Sequence, residues 1–302
     1  MTDVQIPTGR GPMPAYVARP EGSGRYPGVV LVHDVVGMSS DLRRQAEWLA
    51  GEGFVAVAPD LFHWSGHARC LIASARDFVR RRGRVFDDID ATRRWLGDQS
   101  ECSGRLAVLG FCFGGGFAVL LAVDGHYSAS SVNYGHVPRD ADTLLADACP
   151  IIGSYGARDV PFASSARRLA GVAAVDTRHE VTTYADAGHA FLNDHDPADV
   201  PLLIRLSERL PGNVTGHQPE AAAQARQQIA GFLARAYCPP CLPSLAFSSL
   251  LLRFPRLHPR GNVLFSRACE GTTATFIDAA PTVELRRTQL AHVIPPRSES
   301  VS

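Results

Sequence analysis

Three stretches of the first 111 residues, "YPGVVLVHDVV", "FVAVAPDLF" and "GRLAVLGF", are continuous apolar runs, with helix-like sequence between each and the next. A strand that is apolar at every position has no solvent face, so it belongs inside a sheet covered on both sides. This constrains the fold more than any other feature of the chain. "SSDLRRQAEWLAGEG" opens on N-cap residues, lines up Leu42, Ala46, Leu49 and Ala50 on one face and stops at glycine. Residues 68–99 predict two helical pieces broken at Gly83. "SASSVNYG", "CPIIGSYGARD" and "RHEVTTYADAGHAF" each read as a strand running into a loop, and "PEAAAQARQQIAGFLARAY" as a last amphipathic helix. The alternation predicts an α/β fold with a mostly parallel, doubly wound sheet flanked by helices. Ligand chemistry then belongs in the loops beyond the carboxyl ends of the strands.

Composition narrows the function classes. Of 302 residues, 45% are apolar and 20% charged, which suits a soluble globular protein. The 30 cationic side chains, all Arg, balance 30 acidic ones, so no basic excess points to nucleic acid. No apolar run reaches the roughly 18 residues of a membrane span. The N-terminus lacks the cationic and apolar regions of a secretory signal. Seven cysteines without regular spacing suggest a reduced, cytoplasmic protein with no disulfide framework. The expected partner is a small molecule, not nucleic acid or membrane, and the sequence decides neither for a monomer nor for a homodimer. Residues 1–237 predict the folded domain. Beyond them proline recurs without strand or helix period, and 238–302 read as an irregular C-terminal extension, disordered or poorly packed. Cys238 and Cys241 within it have metal or redox spacing, but one CxxC without a second pair is a weak signal. Leu245 to Leu252 form an apolar stretch there.

"VLGFCFGGGFAVLLA" carries the chemistry. Gly110-Phe111-Cys112-Phe113-Gly114 has the form of the G-x-S-x-G nucleophile elbow, with Cys in the Ser position. A sharp strand-to-helix turn strains the nucleophile's backbone, and side chains two residues before and after it would clash. Gly115 and Gly116 let the following helix approach the sheet. The helix N-terminus points free N–H groups and the positive end of its dipole at the sulfur, favouring thiolate. Alone, the pentapeptide fits a glycine-rich turn with an inert buried Cys equally well. Its partners decide otherwise. Asp159 follows the strand of "IIGSYGARDVPF", and His189 follows that of "VTTYADAGHAF". Asp159 alone would read as a helix N-cap before Pro161, and His189 as a loop histidine. Together they complete the order nucleophile, acid, His, each behind its own strand. Asp159 would fix the His189 tautomer, His189 would move protons, and Cys112 would attack.

With these residues the chain resembles the dienelactone hydrolase family of α/β-hydrolases, over roughly 13–237. "GFCFGG", "GARDVPF", "ADAGHAF" and "VLVHDVVGMSSDLRRQAEWLAGEGFVAVAPDLF" carry the resemblance. It implies hydrolysis of an ester or lactone by a Cys-His-Asp triad, with no metal and no organic cofactor. It also implies an oxyanion hole made by the backbone N–H groups of Val35 and Phe113. Asp34 stands where relatives place a Glu that meets the resting thiol, which makes it an accessory candidate; it also reads as a turn or capping carboxylate. His33 reads as a strand-end side chain. Family members that cleave dienelactone hold its carboxylate with two arginines, and this chain has Trp64 at one place and Leu192 and Asn193 at the other. Phe62 and Trp64, with Tyr134, are therefore expected to form a more apolar substrate pocket. A thiolate leaves more easily than an alkoxide, so activated aryl or enol esters, enol-lactones and thioesters are favoured over plain alkyl esters. The rival readings are a thioesterase on the same triad, a catalytically silent binding protein on the same fold, and a peroxide-reactive thiol.

Overall fold

The structure is a computed structural model that describes residues 1–202 and 214–237. Cys238, Cys241 and the rest of the expected extension lie outside the described residues.

Six parallel strands form the body of the sheet: β3 (Tyr26–Val32), β4 (Val55–Pro59), β5 (Cys102–Phe111), β6 (Ala129–Asn133), β7 (Ile151–Gly156) and β8 (Glu180–Tyr184). With β1 (Thr2–Thr8) and β2 (Gly11–Ala18), the order across the eight-stranded sheet is β1-β2-β4-β3-β5-β6-β7-β8. The apolar runs become its centre: Val29 to Val32, Val55 to Ala58 and Ala107 to Leu109 are all buried. Helices α1 (Ser40–Gly51), α2 (His67–Arg80), α3 (Arg84–Gly97), α4 (Phe113–Leu121), α5 (Ala141–Leu144), α6 (Ala163–Val175) and α7 (Pro219–Tyr237) complete the fold. Ser39 caps α1, accepting the Leu42 N–H at 3.2 Å. The break between α2 and α3 falls at Gly83, with φ 132° and room for no Cβ, since one would lie 2.4 Å from the Asp77 carboxyl carbon. In the last helix, the buried Tyr237 hydroxyl donates to the Gly28 carbonyl of β3 at 3.1 Å.

The sequence reading did not include the antiparallel pair β1–β2 at one edge. Pro7, Pro12 and Pro14 remove ladder donors and argue against strands. The pair tolerates them because Pro7 faces Pro12 beside the hairpin turn, while Ile6, Met13 and Ala15 still reach the core. No helix among the described residues is long and apolar enough to cross a membrane.

Register places the chemistry. Gly110 of β5 pairs with Val32 of β3 and Val132 of β6, and Phe111 pairs with Asn133. The carboxyl ends of these strands therefore finish together, and the loops after β3, β5, β6, β7 and β8 open on one edge of the sheet.

Candidate active site

Cys112 stands between β5 and α4 with φ 50° and ψ −111°, a conformation rare for any residue but glycine. The surrounding glycines are required by contact. A Cβ on Gly110 would lie 2.1 Å from the Gly114 carbonyl oxygen, and one on Gly114 would lie 2.1 Å from that of Val32. One on Gly115 would lie 2.9 Å from the Asn133 oxygen. The Cys112 N–H donates to the Asn133 carbonyl at 2.9 Å, which locks the turn onto β6.

The structure brings the other two expected residues to the thiol. His189 Nε2 lies 3.0 Å from Cys112 Sγ, and His189 Nδ1 lies 2.7 Å from Asp159 Oδ2. Asp159 precedes a 3-10 turn, Val160–Phe162, but makes no capping hydrogen bond; its buried carboxylate serves the imidazole instead. Phe162 stacks on the His189 ring at 4.6 Å, and Tyr134 meets the ring edge-on at 5.2 Å. Burial works against a charged His189, but the Cys112 sulfur and the Asp159 carboxylate outweigh it and push the pKa up to about 10. The ring is thus set to hold both protons at neutral pH.

The loop carrying His189 is braced by buried polar contacts that the sequence reading missed. The Tyr134 hydroxyl donates to Asn193 Oδ1, and Asn193 Nδ2 donates to Asp41 Oδ2 at 2.7 Å. Asp41 Oδ1 accepts the Asp194 N–H at 3.0 Å, and Gln45 Nε2 donates to the Leu192 carbonyl at 2.8 Å. Asp41 and Gln45 lie one helical turn apart, within the buried Leu42-Ala46-Leu49 face of α1. Polar residues on an apolar helix face were the available signal, because they must find partners when buried. Strain gathers at the same place: among the described non-glycine residues with positive φ are Cys112, Tyr134 (42°) and Ala190 (59°).

The loop after β3 carries Asp34, for which the sequence left two readings open. The Asp34 carboxylate oxygens go to the Val36 N–H at 2.8 Å and to His195 Nε2 at 2.7 Å, not to Cys112. The turn-carboxylate reading of Asp34 describes its contacts better than the accessory one. His33 is structural, as its strand-end position suggested: Nδ1 donates to the Asp34 carbonyl at 2.7 Å, and Nε2 accepts the Leu61 N–H at 3.2 Å. Burial pushes its pKa down and keeps it neutral.

Known proteins can be set beside this geometry. The dienelactone hydrolase family matches residues 13–237. The chain belongs to that family. Among its relatives is an Escherichia coli K12 protein named "Putative carboxymethylenebutenolidase", 30% identical over 64% of this chain and 78% of its own. Another is the carboxymethylenebutenolidase of Pseudomonas sp. strain P51, 28% identical over 61% of this chain and 82% of its own. A dienelactone hydrolase-like promiscuous phosphotriesterase from metagenomic libraries has the same fold, with TM-score 0.61 at 22% identity over 78% of this chain and 97% of that one. This dienelactone hydrolase family member is accordingly an ester or lactone hydrolase with the α/β-hydrolase fold.

The expected apolar pocket needs correction. Tyr134 is fully buried beneath His189, with its hydroxyl committed to Asn193. Phe62 is 7% exposed and packs edge-on against His33 and His67, under Gly37. The Trp64 indole N–H donates to Asp88 Oδ2 at 3.0 Å, and the Arg10 guanidinium lies 4.1 Å over its ring. Arg10 also pairs with Asp88, so Trp64 is drawn into that ion pair. Side-chain direction, which a sequence does not reveal, decides all three. Among the described residues no three His, Cys, Asp or Glu side chains cluster as a metal site.

Proposed function

We propose that this hydrolase works by covalent catalysis, with Cys112 as nucleophile, His189 as acid and base, and Asp159 as the group that orients His189. The observation that carries this reading is the pair of contacts on one imidazole, 3.0 Å to the thiol and 2.7 Å to a buried carboxylate. The sulfur attacks the acyl carbon, and the carbonyl electron pair moves onto oxygen. The oxyanion is received by the N–H groups of Val35 and Phe113, a kind of contact whose removal typically slows catalysis about 100- to 1000-fold. Collapse expels the alkoxide or enolate, which takes the His189 proton, and leaves a thioester on Cys112. Neutral His189 then takes a proton from water, and hydroxide attack releases the acid and restores the thiolate.

Leaving-group chemistry selects the substrate. The tetrahedral adduct can expel sulfur or oxygen, and sulfur wins unless the oxygen leaves as a stabilised anion. Aryl esters, enol esters and enol-lactones satisfy that condition. Asn193, at one expected place for a carboxylate-binding arginine, is tied to Tyr134 and Asp41 and is not free to meet a substrate. Neutral activated esters should therefore turn over better than a lactone bearing a carboxylate. We assign this chemistry to residues 1–237.

Steady-state hydrolysis of p-nitrophenyl acetate, a longer p-nitrophenyl ester and cis-dienelactone tests the proposal. Cys112→Ala should lose activity by about 1000-fold or more on every substrate cleaved by the wild type. Full activity in that variant would remove Cys112 from the mechanism.

A further inference from the structure

The loop after β3 presents two successive peptides, 34–35 and 35–36, close enough to the elbow that a Cβ on Gly114 would meet the His33 carbonyl oxygen at 2.5 Å. Three of the four polar groups in these peptides are held by side chains. The Asp34 carbonyl accepts from His33 Nδ1 at 2.7 Å, and the Val36 N–H donates to Asp34 Oδ1 at 2.8 Å. The Val35 carbonyl accepts from His67 Nε2 at 2.6 Å. The fourth group, the Val35 N–H, has no protein hydrogen-bond partner among the described residues.

A trans peptide is planar, so fixing its carbonyl fixes the direction of its N–H. His33 therefore aims the Val35 N–H itself. Asp34 and His67 grip the next peptide from opposite ends and restrict rotation of Val35 between the two planes. His33 and Asp34 belong to the loop, whereas His67 reaches it from 32 residues away as the first residue of α2. Phe62 lies edge-on to both imidazoles, 4.5 Å from His33 and 5.0 Å from His67, and restrains both rings.

We infer that His67 is a positioning residue for the oxyanion hole: its Nε2–H holds the Val35 carbonyl and so keeps the Val35 N–H aimed at the developing oxyanion. The inference rests on the proposed role of Val35. His67 touches neither substrate nor thiol in this account and acts only through the loop. Its imidazole donates this hydrogen bond whether neutral in the Nε2–H form or protonated, so the role needs no titration. Neither motif nor spacing marks His67 in the sequence; its contact with Val35 is visible only in three dimensions.

The test compares His67→Ala and His67→Gln with wild type on p-nitrophenyl acetate, with Cys112→Ala run alongside. Alkylation of Cys112 by iodoacetamide is measured in each protein that retains the thiol, because that reaction needs the thiolate but forms no oxyanion. His67→Ala should lower kcat by about 10- to 100-fold, with KM within about twofold of wild type, as misplacing an oxyanion donor should. Its alkylation rate and melting temperature should stay at the wild-type values. His67→Gln, whose Nε2 can donate to the same carbonyl, should restore most of kcat. The inference is overturned if His67→Ala keeps kcat within about twofold, if Gln restores nothing, or if alkylation falls in step with kcat. Activity surviving in Cys112→Ala would instead overturn the nucleophile reading beneath it, so the two failures are distinguishable.

Discussion

The elbow that presents Cys112 and the loop that presents His189 meet at 3.0 Å, yet they are held in place by different physics. The elbow is a steric device. Gly110, Gly114 and Gly115 each bring main chain against main chain where no Cβ fits, and the turn has one arrangement available. The His189 loop is mainly a polar device, secured through its own Asn193 and main chain by Tyr134 after β6 and by Asp41 and Gln45 of α1. Steric fits fail abruptly when one atom is added, whereas polar braces fail by degrees as partners are removed.

The sharpest way to break that contrast is Gly114→Ala. The new methyl would meet a backbone oxygen of β3 at 2.1 Å, and relief would require α4 to move away from the sheet. We expect a loss of more than about 4 kcal/mol in urea unfolding, or no folded protein. Gly51→Ala, where a Cβ meets nothing within 4 Å, should stay within about 0.5 kcal/mol of wild type. A folded, merely slowed Gly114→Ala protein would mean that the elbow yields as the polar loop does.

Next in size is Asn193→Ala. It leaves the buried Tyr134 hydroxyl and Asp41 carboxylate without their shared partner and should cost about 2 kcal/mol in the same unfolding measurement. The protein should still fold, with kcat reduced and KM little changed. Asp41→Ala should act on the same contacts, so the double variant should lose clearly less than the sum of the two. Additive losses would show that the brace is not a unit.

A smaller effect should appear in the pH dependence. The pKa of His189 is pushed up to about 10, and in the proposed mechanism the leaving group takes its proton unless it departs as a stable anion. Hydrolysis of phenyl acetate should therefore fall as pH rises through about 10, while p-nitrophenyl acetate should show little of that decline. A matching decline for both esters would assign the alkaline limb to something other than leaving-group protonation. The smallest effect belongs to truncation after Tyr237, which should leave kcat/KM within about twofold of the full chain.

The same contrast governs what the sequence revealed. β3, β4 and β5 were legible because burial on both faces writes an unbroken apolar run, and the elbow was legible because its glycines are local. Asp159 and His189 could be read from their order and their places behind strands. β1 and β2 were hidden by Pro7, Pro12 and Pro14, and β2 pairs with β4, whose paired residues are remote in sequence. Asp41, Gln45 and His67 were hidden because each finds its partner far along the chain. Phe62, Trp64 and Tyr134 were found as aromatic residues near the right strand ends, but their contacts, with His33 and His67, with Arg10 and Asp88, and with Asn193 respectively, were not.

The central claim is that Cys112 carries the acyl group, and rapid quenching during turnover of p-nitrophenyl acetate tests it most directly. Peptide mass spectrometry of the quenched enzyme should find an acetyl group on Cys112 that disappears as substrate is exhausted and is absent from Cys112→Ala. Turnover with Cys112 unmodified at every quench time, in an enzyme whose Cys112→Ala variant remains active, would contradict the account.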